Sequence, residues 1–144
     1  MDLSKKASQL AFRRFVRLES GSYSMSKYIG IDAFMLRKWI ESMWSDGMNW
    51  DNYGEYWVVD HVVPIRFFNL KDEKDLYLCW NYKNLLPLLK EDNSKKHGSV
   101  YFAFILLSEM RKGDYYYNQL YERVLVEVGE MSKYIDKYKN GNLS

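Results

Sequence analysis

Four polar side chains in the middle of the chain have the types and the order expected of a hydrolytic metal site. Asp60 and His61 follow an apolar run, Asn84 lies 23 residues after His61, and Asn93 lies nine residues after Asn84. A carboxylate and an amide oxygen, with no thiolate nearby, suit a hard cation such as Mg²⁺ or Mn²⁺. A histidine beside the cation that does not bind it can act as a general base near neutral pH. The four residues therefore indicate metal-assisted hydrolysis of a phosphodiester, with His61 taking a proton from water.

The first element that must position these residues is a strand. Asp60 and His61 are adjacent, so on an ideal strand their side chains would point to opposite faces. Both can reach one site only where the strand ends in a turn. Residues 55–59 have the composition of such a strand, and Pro64 stops it from running further. We therefore expect the strand to end at the Asp60–His61 pair.

A second strand and a helix are predicted to follow. The apolar run near residues 78–85 favours a strand that Pro87 ends, although a helical turn at 73–79 competes with it. The polar residues 90–98 favour a short helix that closes at a glycine. Such a helix would bring the side-chain oxygen of Asn93 back to the end of the first strand.

Three stretches of the sequence resemble the motif of the HNH endonucleases, in the variant whose third signature residue is asparagine. They are DHVVP from residue 60, WNYKNLLPL from residue 80 and EDNSKKH from residue 91. The run IGIDAFMLRKWIESMWSDGMNWDNYGEYW that precedes them is similar to the segment before the motif in small phage-type members, so the match covers roughly residues 28–97. The resemblance implies an α+β fold with a ββα-metal core, helices of both terminal segments packed around it, and cleavage of DNA with a divalent cation.

The resemblance also implies a role for each site residue. His61 matches the general base and Asp60 matches a metal ligand. Asn84 matches the residue whose side chain holds the loop that carries the base, and Asn93 matches the second metal ligand. His97 departs from the usual pattern one helical turn after Asn93; as a third ligand it would shift the preference toward transition metals.

The predicted site imposes two geometric conditions. The side chains of Asp60 and Asn93 must be close enough to share one cation. The ring of His61 must face that cation and not the hydrophobic interior. A copy of the fold that has lost catalysis and only binds nucleic acid or protein is the alternative, as is a nuclease that acts on RNA or branched DNA.

Basic side chains on both sides of the motif are the candidates for binding nucleic-acid phosphates. An amphipathic helix is predicted within residues 4–19, with Ser4 as its cap, and its cations could contact several phosphates. A solvated surface explains the lysines near Asn93 equally well. The candidates are Arg13, Arg14 and Arg17 on that helix, Arg66 in the loop after the motif, and Lys95 and Lys96 beside Asn93. DNA is the expected partner and RNA is less favoured.

Composition limits the class of protein. The chain has 144 residues, 47% of them hydrophobic, which suits one ordinary core, and its net charge of +2 does not by itself indicate a nucleic-acid binder. The single cysteine, Cys79, excludes an intramolecular disulfide and paired-cysteine zinc sites. Neither a secretory signal nor an apolar run of membrane-spanning length is present. We therefore expect a cytoplasmic protein without a membrane partner, and the resemblance to phage-type members implies that it is phage- or virus-encoded.

Three segments are expected to form one compact domain: an N-terminal basic helical extension at residues 1–27, a nuclease core at 28–98 and a C-terminal helical segment at 99–144. Within the core, a helix is predicted from about Ala33 to Trp44, with Asp32 as its N-cap. Its predicted apolar side consists of Phe34, Leu36, Trp39, Ile40 and Met43.

An apolar seam with alternating spacings of four and three runs through residues 114–139. Such a seam either packs on the chain's own domain or pairs two chains into a homodimer, and we favour the first slightly. The seam consists of Tyr117, Tyr121, Val124, Val128, Met131, Ile135 and Tyr138.

Overall fold

A computed structural model describes residues 4–19, 25–92, 107, 109–110 and 112–126. The chain divides into two compact units, Met1–His97 and Gly98–Ser144. In the first unit, the described residues form helices and a small two-stranded antiparallel sheet, so the predicted α+β class is confirmed. These elements are α1 (Lys5–Val16), α2 (Ser26–Ile29), α3 (Ala33–Glu41), β1 (Trp57–His61), α4 (Glu73–Trp80) and β2 (Leu85–Leu89).

Both predicted helix caps in the first unit are confirmed. The Ser4 hydroxyl accepts a hydrogen bond from the backbone N–H of Ala7 at 3.3 Å, at the start of α1. The Asp32 carboxylate accepts one from the N–H of Met35 at 2.8 Å, at the start of α3. Each bond satisfies one of the N–H groups that the first turn of a helix leaves without a partner.

The basic helix α1 belongs to the same unit as the motif. Its inner side buries Phe12, Phe15 and Val16. The Phe12 ring stacks on Trp80 of α4, with ring centroids 5.4 Å apart. Arg37 of α3 donates a hydrogen bond to the Val16 carbonyl at 2.6 Å. The cationic side of α1 is thereby fixed relative to the strands that carry the motif.

The apolar side predicted for α3 is only partly correct. Leu36 and Ile40 are fully buried, whereas Phe34 is 67% exposed and Met43 is 37% exposed. Leu36 and Ile40 are four residues apart and share one face of the helix, while a residue two positions from Leu36 lies almost on the opposite side. The inner face of α3 is therefore narrower than the distribution of its apolar residues suggests.

The second strand does not lie at residues 78–85, where the sequence placed it. The competing helix is present instead: α4 covers Glu73–Trp80, and it buries Leu76, Cys79 and Trp80 at helical spacing. Asp72 caps it by accepting a hydrogen bond from the N–H of Lys74 at 3.0 Å. The apolar run that resembles a strand is thus the inner face of a short helix.

The second strand begins at the residue where the predicted strand was expected to end. It then continues through Pro87, which was expected to stop it. Pro87 lies opposite Val59 of β1 in the antiparallel ladder. The sheet has two strands in the described part of the chain, so each strand keeps one open edge. A proline, which has no N–H to donate, is tolerated on an edge strand when its nitrogen faces that open side. Helical residues 90–92 follow β2 directly.

In the second unit, the described residues include a helix at 115–126. Asp114 caps it, since its carboxylate accepts hydrogen bonds from the backbone N–H groups of Tyr116 at 2.9 Å and Tyr117 at 3.2 Å. Tyr117 and Val124 of the predicted seam are buried, and Tyr121 is half-buried. The other four seam positions lie outside the described residues. Across the described part of the chain, every helix is too short or too polar to span a membrane.

Candidate active site

Asp60 and His61 are the last two residues of β1, and both belong to its ladder. Asp60 pairs with Leu86 and His61 with Leu85, so the strand ends at this pair, as expected, and includes both of its residues. Alternation along the strand then directs the two side chains to opposite faces of the hairpin. The Asp60 carboxylate is half-exposed, and its Oδ1 accepts a hydrogen bond from the His61 backbone N–H at 2.8 Å.

The ring of His61 is buried. His61 as a whole residue is 7% exposed, and the Nε2 atom of its ring has almost no accessible surface. The ring stands edge-on to Trp80 of α4, with centroids 4.5 Å apart and planes at 80°. The condition that this ring avoid the hydrophobic interior is therefore not met in this conformation. A water molecule can reach Nε2 only if the ring turns or the groups that cover it move.

Asn84 connects the loop after β1 to the turn before β2. It is fully buried at the end of a 3₁₀ turn that covers Tyr82–Asn84. Its Oδ1 accepts a hydrogen bond from the N–H of Val63 at 2.8 Å, and its Nδ2 donates to the Val63 carbonyl at 3.2 Å and to the Cys79 carbonyl at 2.9 Å. Its own backbone carbonyl accepts a hydrogen bond from Val62 at 2.8 Å. The side chain thus holds the segment that directly follows His61.

The predicted metal set falls partly outside the described residues. Asn93 and His97, and with them Lys95 and Lys96, lie there, so the distance from Asp60 to Asn93 stays a prediction. Within the part of the chain that the structure describes, no group of three histidine, cysteine or acidic side chains could hold a metal ion. Asp60 offers one hard carboxylate donor at the edge of the hairpin, which fits Mg²⁺ or Mn²⁺ as one ligand of a larger set.

The arginines proposed to bind phosphates are on the surface. Arg13, Arg14 and Arg17 are exposed at the carboxyl end of α1. Arg66 is exposed in the 3₁₀ turn after Pro64, with its guanidinium carbon 4.5 Å from the centre of the Phe67 ring. Arg17 also contacts an aromatic ring, since its guanidinium carbon lies 5.0 Å from the centre of the Tyr53 ring.

The loop between α3 and β1 carries a cluster of aromatic rings, which the first residue of β1 completes. Trp44, Trp50, Tyr53 and Trp57 form successive ring contacts with centroids 4.8 to 5.7 Å apart. Trp50 is attached to α3, where its Nε1 donates to Glu41 at 2.7 Å and the Arg37 guanidinium lies 3.9 Å above its ring. Arg37 and Glu41 are four residues apart and therefore share one face of the helix, and this spacing is the feature of the sequence that could have indicated the attachment of Trp50.

Burial perturbs two ionisable groups near the site. It raises the pKa of the Tyr53 phenol, while the positive charges of Arg17 and Arg13 act in the opposite direction. It also raises the pKa of the Cys79 thiol far above its ordinary range, with a smaller contribution from the negative charge of Asp75. Cys79 is fully buried, as its apolar surroundings in the sequence predict. It is therefore a protonated structural thiol and not a nucleophile.

The sequence is similar to two uncharacterized proteins of Acanthamoeba polyphaga mimivirus. One is 36% identical over 109 residues, which is 69% of this chain and 48% of that protein. The other is 34% identical over 130 residues, which is 81% of this chain and 57% of that protein. The chain thus spans about half the length of these curated relatives. No protein-family model matches the sequence, and no solved structure matches it significantly.

Proposed function

We propose that this chain is a divalent-metal-dependent endonuclease that hydrolyses DNA phosphodiester bonds at an HNH-type ββα-metal site. The observation that carries the proposal is the side chain of Asn84, which holds the backbone of Val63 two residues after His61. This is the task that the resemblance gives to the middle signature residue. The antiparallel pairing of β1 and β2, and the helical residues 90–92 directly after β2, support the same arrangement.

Each residue then has a chemical task. Asp60, together with Asn93 and His97, would hold the cation, which neutralises charge on the phosphate and on the leaving oxygen when it is bound. His61 accepts the proton of the attacking water through its imidazole. Because that ring is packed against Trp80, the proposal requires a conformation in which the ring leaves this contact before water is activated.

The substrate would lie against the basic side chains of the unit. Arg13, Arg14 and Arg17 on α1 are exposed and would contact the DNA backbone, and Arg66, with Lys95 and Lys96 next to Asn93 in the sequence, would add further contacts. The similarity to mimivirus proteins favours a viral protein that acts in the host cytoplasm. A homodimer through the seam in residues 114–139 would place two sites on one duplex and allow cleavage of both strands.

A second candidate function has its own support. The burial of His61 beside Trp80 is what a copy of the fold that has lost catalysis would show, since a histidine kept for packing needs no access to water. Such a protein would keep the hairpin and the basic helix and would bind nucleic acid or another protein without cutting it.

Incubation of supercoiled plasmid with Mg²⁺ or Mn²⁺, and with EDTA as the control, separates the two candidates. We expect metal-dependent nicking or linearisation that Asp60→Asn and His61→Gln reduce by about a hundredfold or more, since a positioned base and a metal ligand each contribute on that order. Asp51→Asn, at an exposed loop position, is the matched control and should cleave like the parent protein. His61→Gln is preferred to alanine because it fills more of the buried space.

The contradicting outcomes are distinct. Cleavage that persists in His61→Gln removes His61 as the base. A folded parent protein that binds DNA but does not cut plasmid, single-stranded RNA or a branched junction with either metal supports the second candidate and overturns the first.

A further inference from the structure

Cations from two distant parts of the chain meet at the turn formed by Gly54. Lys90, the first residue after β2, donates from its Nζ to the Gly54 carbonyl at 3.2 Å. Nη2 of Arg17, at the end of α1, lies 3.3 Å from the position that a Cβ on Gly54 would occupy. The Arg17 guanidinium is also held over the Tyr53 ring at 5.0 Å. Arg13 lies one turn earlier on α1, and its positive charge, like that of Arg17, opposes the rise that burial causes in the pKa of the Tyr53 phenol.

These cations are not neutralised within the described part of the chain. Within it, neither Arg13, Arg17 nor Lys90 forms an ion pair with a carboxylate, whereas Lys27 pairs with Glu73. Glu55 follows the turn and is exposed, but it forms no ion pair with any of the three in that same region. Arg13 and Arg17 are four residues apart, a spacing at which like charges destabilise a helix. The helix dipole explains cations at the end of α1, but not Lys90, which comes from another element.

The backbone at the turn allows the close approach. Gly54 has φ of +96°, a conformation that favours glycine, and its N–H donates to the Trp57 carbonyl at 2.7 Å. A side chain at this position would press on the Arg17 guanidinium. The hydrogen bond to Trp57 therefore fixes the turn to the first residue of β1, and the side chains of Arg17 and Lys90 contact the turn.

We propose that the Gly54 turn is a binding site for a backbone phosphate of duplex DNA, formed by Arg17, Lys90 and Arg13. Arg17 is oriented in advance by Tyr53, so it loses little side-chain freedom when it binds an anion. The contact carries no sequence information, because phosphates are the same at every base pair.

The place of the site along the hairpin defines which part of the substrate it would bind, and this step rests on the proposed function. The turn lies at the Trp57 end of β1, while Asp60 and His61 lie at the other end. Four residue steps along β1 separate Trp57 from His61, which corresponds to about 13 Å. For a duplex whose axis runs along β1, that distance matches about four nucleotides, because each nucleotide advances about 3.4 Å along the axis. The site would thus hold a phosphate about four nucleotides from the bond that is cut.

The test measures binding without cleavage. A short fluorescein-labelled DNA duplex is titrated with the full chain in EDTA, by fluorescence anisotropy, at several salt concentrations from about 50 to about 200 mM. We expect Arg17→Gln and Lys90→Gln each to weaken binding about fivefold at the lowest salt, and to reduce the slope of log affinity against log salt by about one. Lys38→Gln and Lys71→Gln, at exposed positions away from the turn, are the matched controls and should stay within about twofold of the parent.

The two proposals fail in different ways. Variants at Arg17 and Lys90 that bind like the lysine controls, or a parent chain that does not bind the duplex, overturn the phosphate site. A parent chain that binds with the expected slope but does not cut in Mg²⁺ or Mn²⁺ contradicts the nuclease and leaves the phosphate site intact. If circular dichroism shows that Arg17→Gln is unfolded, Lys90→Gln decides alone, because its side chain is exposed and its bond is to a surface carbonyl.

Discussion

Asn84 and Val63 are joined by two hydrogen bonds of opposite direction. The Val63 N–H donates to Oδ1 of Asn84 at 2.8 Å, and Nδ2 of Asn84 donates to the Val63 carbonyl at 3.2 Å. Both residues are buried, so the asparagine satisfies backbone groups that water does not reach. The loop that leaves β1 and the turn that enters β2 are thereby held as one piece next to Asp60 and His61.

Replacement of Asn84 by alanine should therefore destabilise the fold strongly. The substitution leaves the buried N–H and carbonyl of Val63 and the carbonyl of Cys79 without this partner, and we expect a loss of about 3 kcal/mol in the free energy of unfolding. Urea unfolding followed by circular dichroism measures it. Asn118→Ala, at an exposed position of the 115–126 helix, is the control and should change stability by less than about 0.5 kcal/mol. A loss at residue 84 as small as that of the control would contradict the structural role.

The single cysteine provides a second prediction. Cys79 is fully buried and its pKa is raised, so little of the reactive thiolate forms or is accessible in the folded chain. We expect a thiol reagent such as dithionitrobenzoate to react at least about a hundredfold more slowly with the folded chain than with the chain in urea. Labelling should be faster in Asn84→Ala, since Asn84 bonds to the Cys79 carbonyl. Equal rates with and without urea would show that α4 does not bury this residue.

Tyr53 predicts how stability changes at high pH. Burial raises the pKa of its phenol above the ordinary value of 10.0, so the unfolded chain loses this proton before the folded chain does. The stabilisation is fully present below about pH 10 and is lost as the pH rises through the pKa of the folded state. The fall in urea midpoint between about pH 9 and about pH 12 should be smaller in Tyr53→Phe than in the parent chain. Identical pH profiles for the two proteins would show that this phenol is not buried.

The helix starts could be predicted because their determinants are local. Ser4 and Asp32 cap α1 and α3 through hydrogen bonds to N–H groups three residues away, so the residues that decide the structure are adjacent in the sequence. The α+β class was implied by the resemblance to the HNH endonucleases and by the predicted order of strands and helix. The secondary structure of the short run around Cys79 was harder to predict, because an apolar stretch of that length fits either a strand or the inner face of a helix.

The candidate site depends on residues that are far apart in the chain. The types and order of Asp60, His61 and Asn84 are present in the sequence, and the resemblance to the HNH endonucleases implied that Asn84 holds a loop. That β1 includes His61, and that its ring packs on Trp80, follows from pairing with Leu85 and from the position of α4. Leu85 and Trp80 come close to His61 only when the tertiary structure has formed.

By itself, then, the sequence determined the caps of α1 and α3, because hydrogen bonds across three residues form before any distant contact. Its motif also supplied the types and order of the polar residues near the hairpin and, through the resemblance, the fold class. Only the tertiary structure decided where β2 begins and why Pro87 is tolerated within it. It also decided that the Phe34 side chain is exposed to solvent, and that Arg17 and Lys90 meet at Gly54. Those features depend on which surfaces are covered by elements from elsewhere in the chain, and burial of that kind is a property of the packed molecule.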